Sequence, residues 1–173
     1  MRLIGLSGWS GSGKTTLLTA LIPALIGRGL AVSTIKHAHH SFDIDREGKD
    51  SYVHRQAGAR EVLISSAHRW ALMHELRGAP EPHLRELLSH LGEVDLVLIE
   101  GFKRDPHPKI EVYRAAVGKP LLHPHDQRIV AIASDAPLPE ASVPRVDLGD
   151  IEAIADLVER HAAAVGEIAW DDC

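Results

Sequence analysis

The chain has 173 residues, 24 acidic and 19 basic, with a formal charge of −5 when histidine is neutral. Apolar residues make up 45% and charged residues 25%, so whole-chain disorder is excluded and the length suffices to bury a core without staples. The mild acidity and the lack of a Lys/Arg run argue against a nucleic-acid binder, and the one cysteine, Cys173, excludes an internal disulfide and a cysteine-based zinc site.

Residues 2–7 are a short apolar run leading into Gly8, the pattern of a buried strand. Residues 15–27 place Leu17, Leu18, Leu21, Ile22, Leu25 and Ile26 at helical spacing. Pro23 should kink this helix or mark its last turns, and Gly27 and Gly29 end it. A strand over 30–35 and a polar loop over 36–49 come next, then a short helix over 50–57 that stops at Gly58. Residues 60–65 and 68–76 predict an antiparallel hairpin. A helix over 81–91 has Pro80 and Pro82 at its start. The continuous apolar run 95–99 predicts a buried parallel strand. Strands over 109–113, 128–133 and 143–146 follow, and a last helix over 150–164 carries Ile151, Ile154, Leu157 and Val158 on one face.

Strands alternating with helices predict an α/β fold of three layers, with a mostly parallel sheet and a small antiparallel hairpin insert. One domain is expected over 1–165, with 166–173 as a tail that is mobile or used in subunit contact. The longest uncharged run, 15–27, is shorter than the roughly 20 residues a membrane span needs, and no signal segment is visible, so a cytoplasmic protein is expected. In such folds ligands gather at the carboxyl ends of the strands. Every motif below falls on that edge.

Gly8-Trp9-Ser10-Gly11-Ser12-Gly13-Lys14-Thr15 matches the phosphate-loop pattern G-x-x-x-x-G-K-[ST], between a strand and a helix as the motif requires. Gly8, Ser10, Gly11, Ser12, Gly13, Lys14, Thr15 and Thr16 are therefore candidate nucleotide contacts. Backbone N–H groups would cradle phosphates, Lys14 would reach the β/γ oxygens, and the Thr15 hydroxyl would ligate Mg²⁺. The doubled Thr15-Thr16 and the extra Gly11 resemble the branch of P-loop proteins with signal-recognition GTPases, metal-insertion GTPases and biosynthetic partners. A strand beside the loop, ending in Glu100-Gly101, would deliver Glu100 to the metal or its water shell. Asp95 lies at the strand's other end, roughly 16 Å away, and cannot share that site.

Of the 12 histidines, His37, His39 and His40 fall in one loop after the second strand, beside Lys36. Lys36 suits an anionic group, and the histidines could bind phosphate, move protons or ligate a metal. Adjacent His39 and His40 would point apart, which disfavours a tight zinc site. Asp43 is a candidate metal ligand, and Asp50 a candidate substrate or partner contact. The segment from Phe102 to Lys109 is basic, and its Lys103 is a further anion contact. Asp135 ends an apolar strand. Its carboxylate could accept from N1–H and N2–H of guanine, a donor pair adenine lacks, although the full N/T-K-x-D pattern is absent.

In order, the chain carries the phosphate loop, Lys36-His37-x-His39-His40, Gly48-Lys49-Asp50-Ser51, Gln56-Ala57-Gly58-Ala59 and Leu98-Ile99-Glu100-Gly101-Phe102-Lys103. This combination resembles the molybdopterin-guanine dinucleotide biosynthesis protein B family, MobB, over roughly residues 1–150. The resemblance implies a P-loop fold, GTP and Mg²⁺ binding with weak hydrolysis, and a homodimer whose contact involves the hairpin near 60–76. It also implies assistance to the guanylyltransferase that attaches GMP to molybdopterin, with molybdopterin itself a further candidate ligand. Weak hydrolysis agrees with the lack of an obvious Gln or Arg placed to activate water. Two other readings use the same residues: a small-molecule kinase with Asp43 or Asp50 as base, and a metal-insertion GTPase using the histidine loop.

Overall fold

The computed structural model describes residues 1–38 and 42–170. Contacts divide the chain into two compact units, Met1–His37 with Leu84–Cys173, and Ala38–His83.

The larger unit is built on β1 (Arg2–Ser7), β2 (Val32–Lys36), β5 (Leu96–Glu100), β6 (Lys109–Tyr113), β7 (Ile129–Ser134) and β8 (Arg145–Asp147), in the order β2-β5-β1-β6-β7-β8 with every neighbour parallel. Its remaining elements are α1 (Lys14–Gly27), α3 (Leu84–Ser89), α4 (Ile151–His161) and β9 (Ala163–Ala164). On one sheet face Leu17, Leu21 and Leu25 of α1 and Ile154 and Val158 of α4 close over Ile4, Leu6, Leu98, Ile110 and Val112, all buried. On the other, Leu84 and Leu88 of α3 pack with Leu3, Val97, Ile99 and Ile168. The predicted three-layer α/β architecture is the observed one.

Some element ends differ from expectation for identifiable reasons. Helix α1 agrees with its expected span: it runs through Pro23, which falls in its last turns, has Gly27 as its last residue, and closes on Gly29. Gly29, at φ 87°, donates to the Ile26 carbonyl at 2.9 Å, and Leu30 donates to Leu25 at 3.3 Å, a Schellman closure that needs a left-handed residue. The α3 helix is shorter than predicted and keeps only the turn and a half that buries Leu84 and Leu88. The last helix stops at His161, before its predicted end. Ala163 and Ala164 instead pair antiparallel with Leu3 and Arg2, where β6, which pairs β1 only from Gly5 onward, leaves backbone groups to satisfy. Tertiary pairing overrides the helix propensity of alanine there. In the segment expected to be a tail, Ile168 is buried and the Trp170 indole donates to the Val165 carbonyl at 3.2 Å.

The smaller unit holds α2 (Asp50–Gln56) and the hairpin of β3 (Glu61–Ser65) and β4 (Trp70–His74). Val62 and Met73, paired across the strands, are buried on one face. Leu63 opposite Leu72, and Trp70 opposite Ser65, occupy the other face and are exposed. Arg55 of α2 draws the unit together, bonding Asp45 at 2.8 Å and Glu75 at 3.3 Å.

Candidate functional site

Gly8, Gly11 and Gly13 have φ of 148°, 81° and 94°, which lets residues 8–13 curl back between β1 and α1. At Gly8 a Cβ would come 2.5 Å from the Val112 carbonyl oxygen, so the tight exit from β1 admits no side chain. Lys14 opens α1, and its ammonium donates to the carbonyls of Gly8 and Trp9, each at 3.0 Å. The loop thus closes on its own lysine. Burial pushes the Lys14 pKa below its usual value, Glu100 opposes the shift, and Lys103 and Lys36 reinforce it. The first turn of α1 has no acidic residue to neutralise its N-terminal dipole.

Parallel pairing of β1 with β5 sets Leu6 opposite Glu100, so the carboxylate emerges beside the loop. The Thr15 hydroxyl donates to Glu100 Oε1 at 3.2 Å, and the Lys36 ammonium lies 3.5 Å from Oε2. A hydroxyl and a carboxylate at this separation fit a hard divalent cation that takes its other ligands from phosphate and water. Among the described residues no cluster of three or more His, Cys, Asp or Glu side chains could hold a metal without such help.

The turn after Glu100 is shaped by His37. Its backbone N–H donates to the Glu100 carbonyl at 2.8 Å, and its ring lies 4.9 Å from that of Phe102. Gly101, at φ 101°, leaves only 2.5 Å between a built Cβ and His37 Cβ. His37, a candidate for phosphate or proton chemistry, thus packs against the turn that follows Glu100. Lys103 and Lys119 each stand over the Trp9 ring, at 5.7 and 5.9 Å from its centroid, and the indole N–H donates to the Pro120 carbonyl at 2.8 Å. Ser10, Gly11 and Thr16 are exposed at the rim.

Asp135 follows β7 on the same edge. Its Oδ1 accepts the Ala115 N–H at 2.9 Å. Arg114, which sequence reasoning passed over, donates from Nε to the Ser12 carbonyl at 3.1 Å, and its Nη1 lies 3.9 Å from Asp135 Oδ2. Glu111 was also missed. It is fully buried in β6 and accepts the N–H groups of Leu122 and His123 at 2.7 and 2.9 Å, which pins the segment that carries Lys119 and Pro120. The signal for both was an unusual one, charged residues in and just after the strand 109–113.

The remaining candidates belong to other parts of the chain. Asp43 lies in the smaller unit, where Arg55 Nη2 holds its Oδ1 at 2.8 Å. Asp50 is the first residue of α2 in that unit. His39 and His40 lie outside the described residues.

The sequence profile of the family described as molybdopterin guanine dinucleotide synthesis protein B, MobB, matches residues 3–135. The chain belongs to the MobB family. The matched span runs from β1 to Asp135 and so takes in the whole phosphate loop, Glu100 and Arg114. The chain is 44% identical over 159 residues to the molybdopterin-guanine dinucleotide biosynthesis adapter protein of Escherichia coli K12, covering 90% of each chain. It is 44% identical over 160 residues to the protein of the same name from Haemophilus influenzae, covering 91% of this chain and 87% of that one. A crystal structure of a molybdopterin-guanine biosynthesis protein B superposes with a TM-score of 0.73 at 27% identity, covering 91% of this chain and 98% of that one. The structure of Bacillus subtilis MobB, at 24% identity and a TM-score of 0.71, shares the fold.

Proposed function

We propose that the chain binds GTP with Mg²⁺, hydrolyses it slowly, and acts as an accessory protein in the maturation of the molybdenum cofactor to molybdopterin-guanine dinucleotide. The observation that carries this reading is the contact of Thr15 with Glu100 beside the Lys14 loop, in a chain of the MobB family. The relatives named above are called adapter proteins of molybdopterin-guanine dinucleotide biosynthesis, which supports a role beside the guanylyltransferase rather than in its place.

Each residue then has a task. Backbone N–H groups of residues 8–13 and the positive end of α1 hold the phosphates. Lys14 exchanges its two loop carbonyls for β/γ oxygens. Thr15 and Glu100 hold Mg²⁺ directly or through water, and Asp135 reads guanine. Lys36 and Lys103 meet anionic groups of a second ligand, such as molybdopterin, or of the partner enzyme. Arg114 is engaged with the Ser12 carbonyl, on the Asp135 side of the loop, which agrees with slow unaided hydrolysis. A homodimer would cover the apolar outer face of the hairpin, Leu63, Trp70 and Leu72.

Calorimetric titration of the purified protein with Mg²⁺ and GTP tests the reading. Binding in the micromolar range is expected, with Lys14→Ala losing at least tenfold while its circular dichroism stays unchanged. No binding by the unsubstituted protein, or full binding by the variant, refutes it. Pull-down from cells with and without added GTP then checks whether the guanylyltransferase is the partner.

A further inference from the structure

We infer that Arg114 is a positioning residue that ties the phosphate-binding loop to the base-reading carboxylate, so that phosphate binding and guanine selection depend on one guanidinium. The inference rests on the proposed GTP binding and deepens it.

Three observations converge on this side chain. The first is its bond from Nε to the Ser12 carbonyl at 3.1 Å. Across a planar trans peptide the C=O of Ser12 and the N–H of Gly13 point in opposite directions. A guanidinium that holds the carbonyl on the outside of the loop therefore turns the Gly13 N–H toward the inside, where a phosphate oxygen would sit. The second is the closeness of the packing. A Cβ on Gly13 would come 2.9 Å from Arg114 Nε and 3.3 Å from Nη2, so the guanidinium lies against the backbone of the loop's last glycine. The third is Asp135. Its Oδ1 accepts the N–H of Ala115, the residue after Arg114, at 2.9 Å, and its Oδ2 faces Arg114 Nη1 at 3.9 Å. Two adjacent residues just beyond β6 thus orient both oxygens of the carboxylate, one by a backbone N–H and one by charge.

The N/T-K-x-D pattern, absent from this chain, supplies other side chains just before its aspartate. Here the brace comes from β6, the strand that lies between β1 and β7 in the sheet. Strand order alone brings Arg114 to a point from which it reaches both the loop after β1 and the carboxylate after β7. A fork of N–H donors is needed for this task. An ammonium can satisfy the Ser12 carbonyl or face Asp135, without the fixed geometry that does both.

The test compares GTP with ITP, which lacks the exocyclic amine of guanine, and with ATP. The proteins are the unsubstituted chain, Arg114→Gln, Arg114→Lys, Asp135→Asn, and the double variant of Arg114→Gln with Asp135→Asn. The unsubstituted chain is expected to prefer GTP over ITP by about tenfold, the value of one hydrogen bond. In Arg114→Gln the affinity for GTP should fall by more than tenfold, and the GTP/ITP ratio should collapse toward one. Arg114→Lys should not restore the ratio. Asp135→Asn should cost little more in the Arg114→Gln background, because residues acting through one network are non-additive. If Arg114→Gln fails to fold by thermal unfolding, Arg114→Lys, which keeps the charge and the stem, carries the same comparison. A uniform loss for all three nucleotides with the GTP/ITP ratio intact overturns the inference and leaves GTP binding standing. No preference of the unsubstituted chain for GTP over ATP overturns the reading of Asp135, and the inference with it.

Discussion

His107 is fully buried next to Gly5, and among the described residues neither ring nitrogen has a hydrogen-bond partner. Burial, followed by the charge of Lys109 and opposed by Asp126, pushes its pKa down to about 3. Lys109, buried as well, bonds the Asp105 carbonyl at 2.8 Å and Asp126 at 3.2 Å, and burial lowers its pKa too. The unfolded chain protonates an ordinary histidine near pH 6.5, whereas the folded chain resists until about pH 3, so this group's contribution is fully present above pH 6.5 and is lost as pH falls toward 3. Stability should therefore drop by about 2 kcal/mol between pH 7 and pH 5 on account of His107 alone. His107→Leu should flatten the pH dependence by that amount in urea unfolding, whatever its own offset. An unchanged slope in the variant would mean that other groups carry it. The places of Lys14, Thr15 and Glu100 were legible at this scale because each is set by local sequence, the phosphate-loop pattern or the end of an apolar strand. Arg114, Glu111 and His107 were not, because each acts through contacts that exist only once β6 lies beside β1 and the chain beyond it folds back.

At the scale of the element, two glycines share a left-handed backbone and differ in surroundings. Gly29 ends α1 at φ 87°, with no atom within 4 Å of a built Cβ. Gly101 ends β5 at φ 101°, with His37 Cβ at 2.5 Å. Gly29→Ala should cost about 1 kcal/mol, the left-handed penalty alone. Gly101→Ala should cost about 2–3 kcal/mol and disturb the Thr15–Glu100 contact, since strain and collision add. Thermal unfolding of the pair checks the order, and equal losses would show that His37 yields without resistance. Strands β1, β5 and β7 were readable from apolar runs, because a strand buried on both faces is apolar throughout. Helix ends were less readable. Pro80 and Pro82 marked a start that lies two residues beyond them, at Leu84, and the alanines after His161 suited a helix but served β1.

For the molecule as a whole, most of the exposed large hydrophobics fall in the smaller unit, at Phe42, Ile44, Val53, Leu63, Ile64, Trp70, Leu72 and Leu76. A two-stranded sheet with one face buried and the other apolar is unusual for a lone chain in water. Trp70→Glu with Leu72→Lys should therefore shift the proposed homodimer to monomer in sedimentation velocity at micromolar protein. A dimer that persists would place the contact elsewhere. Among the described residues no helix is long and apolar enough to cross a membrane. The net charge of −5 conceals a basic edge formed by Lys14, Lys36, Lys103 and Lys119, and composition could not reveal this because it averages over the surface.

Trp9 has an optical consequence. An indole with two ammonium groups within 6 Å of its ring, and its N–H on a backbone carbonyl, emits at a wavelength and intensity set by those neighbours. Any rearrangement of the phosphate loop changes them. The chain has two other tryptophans, Trp70 on the hairpin and Trp170 near the C-terminus, and replacing both with phenylalanine leaves a single emitter within the loop. Movements of that loop can then be timed by stopped-flow fluorescence, with no dye attached.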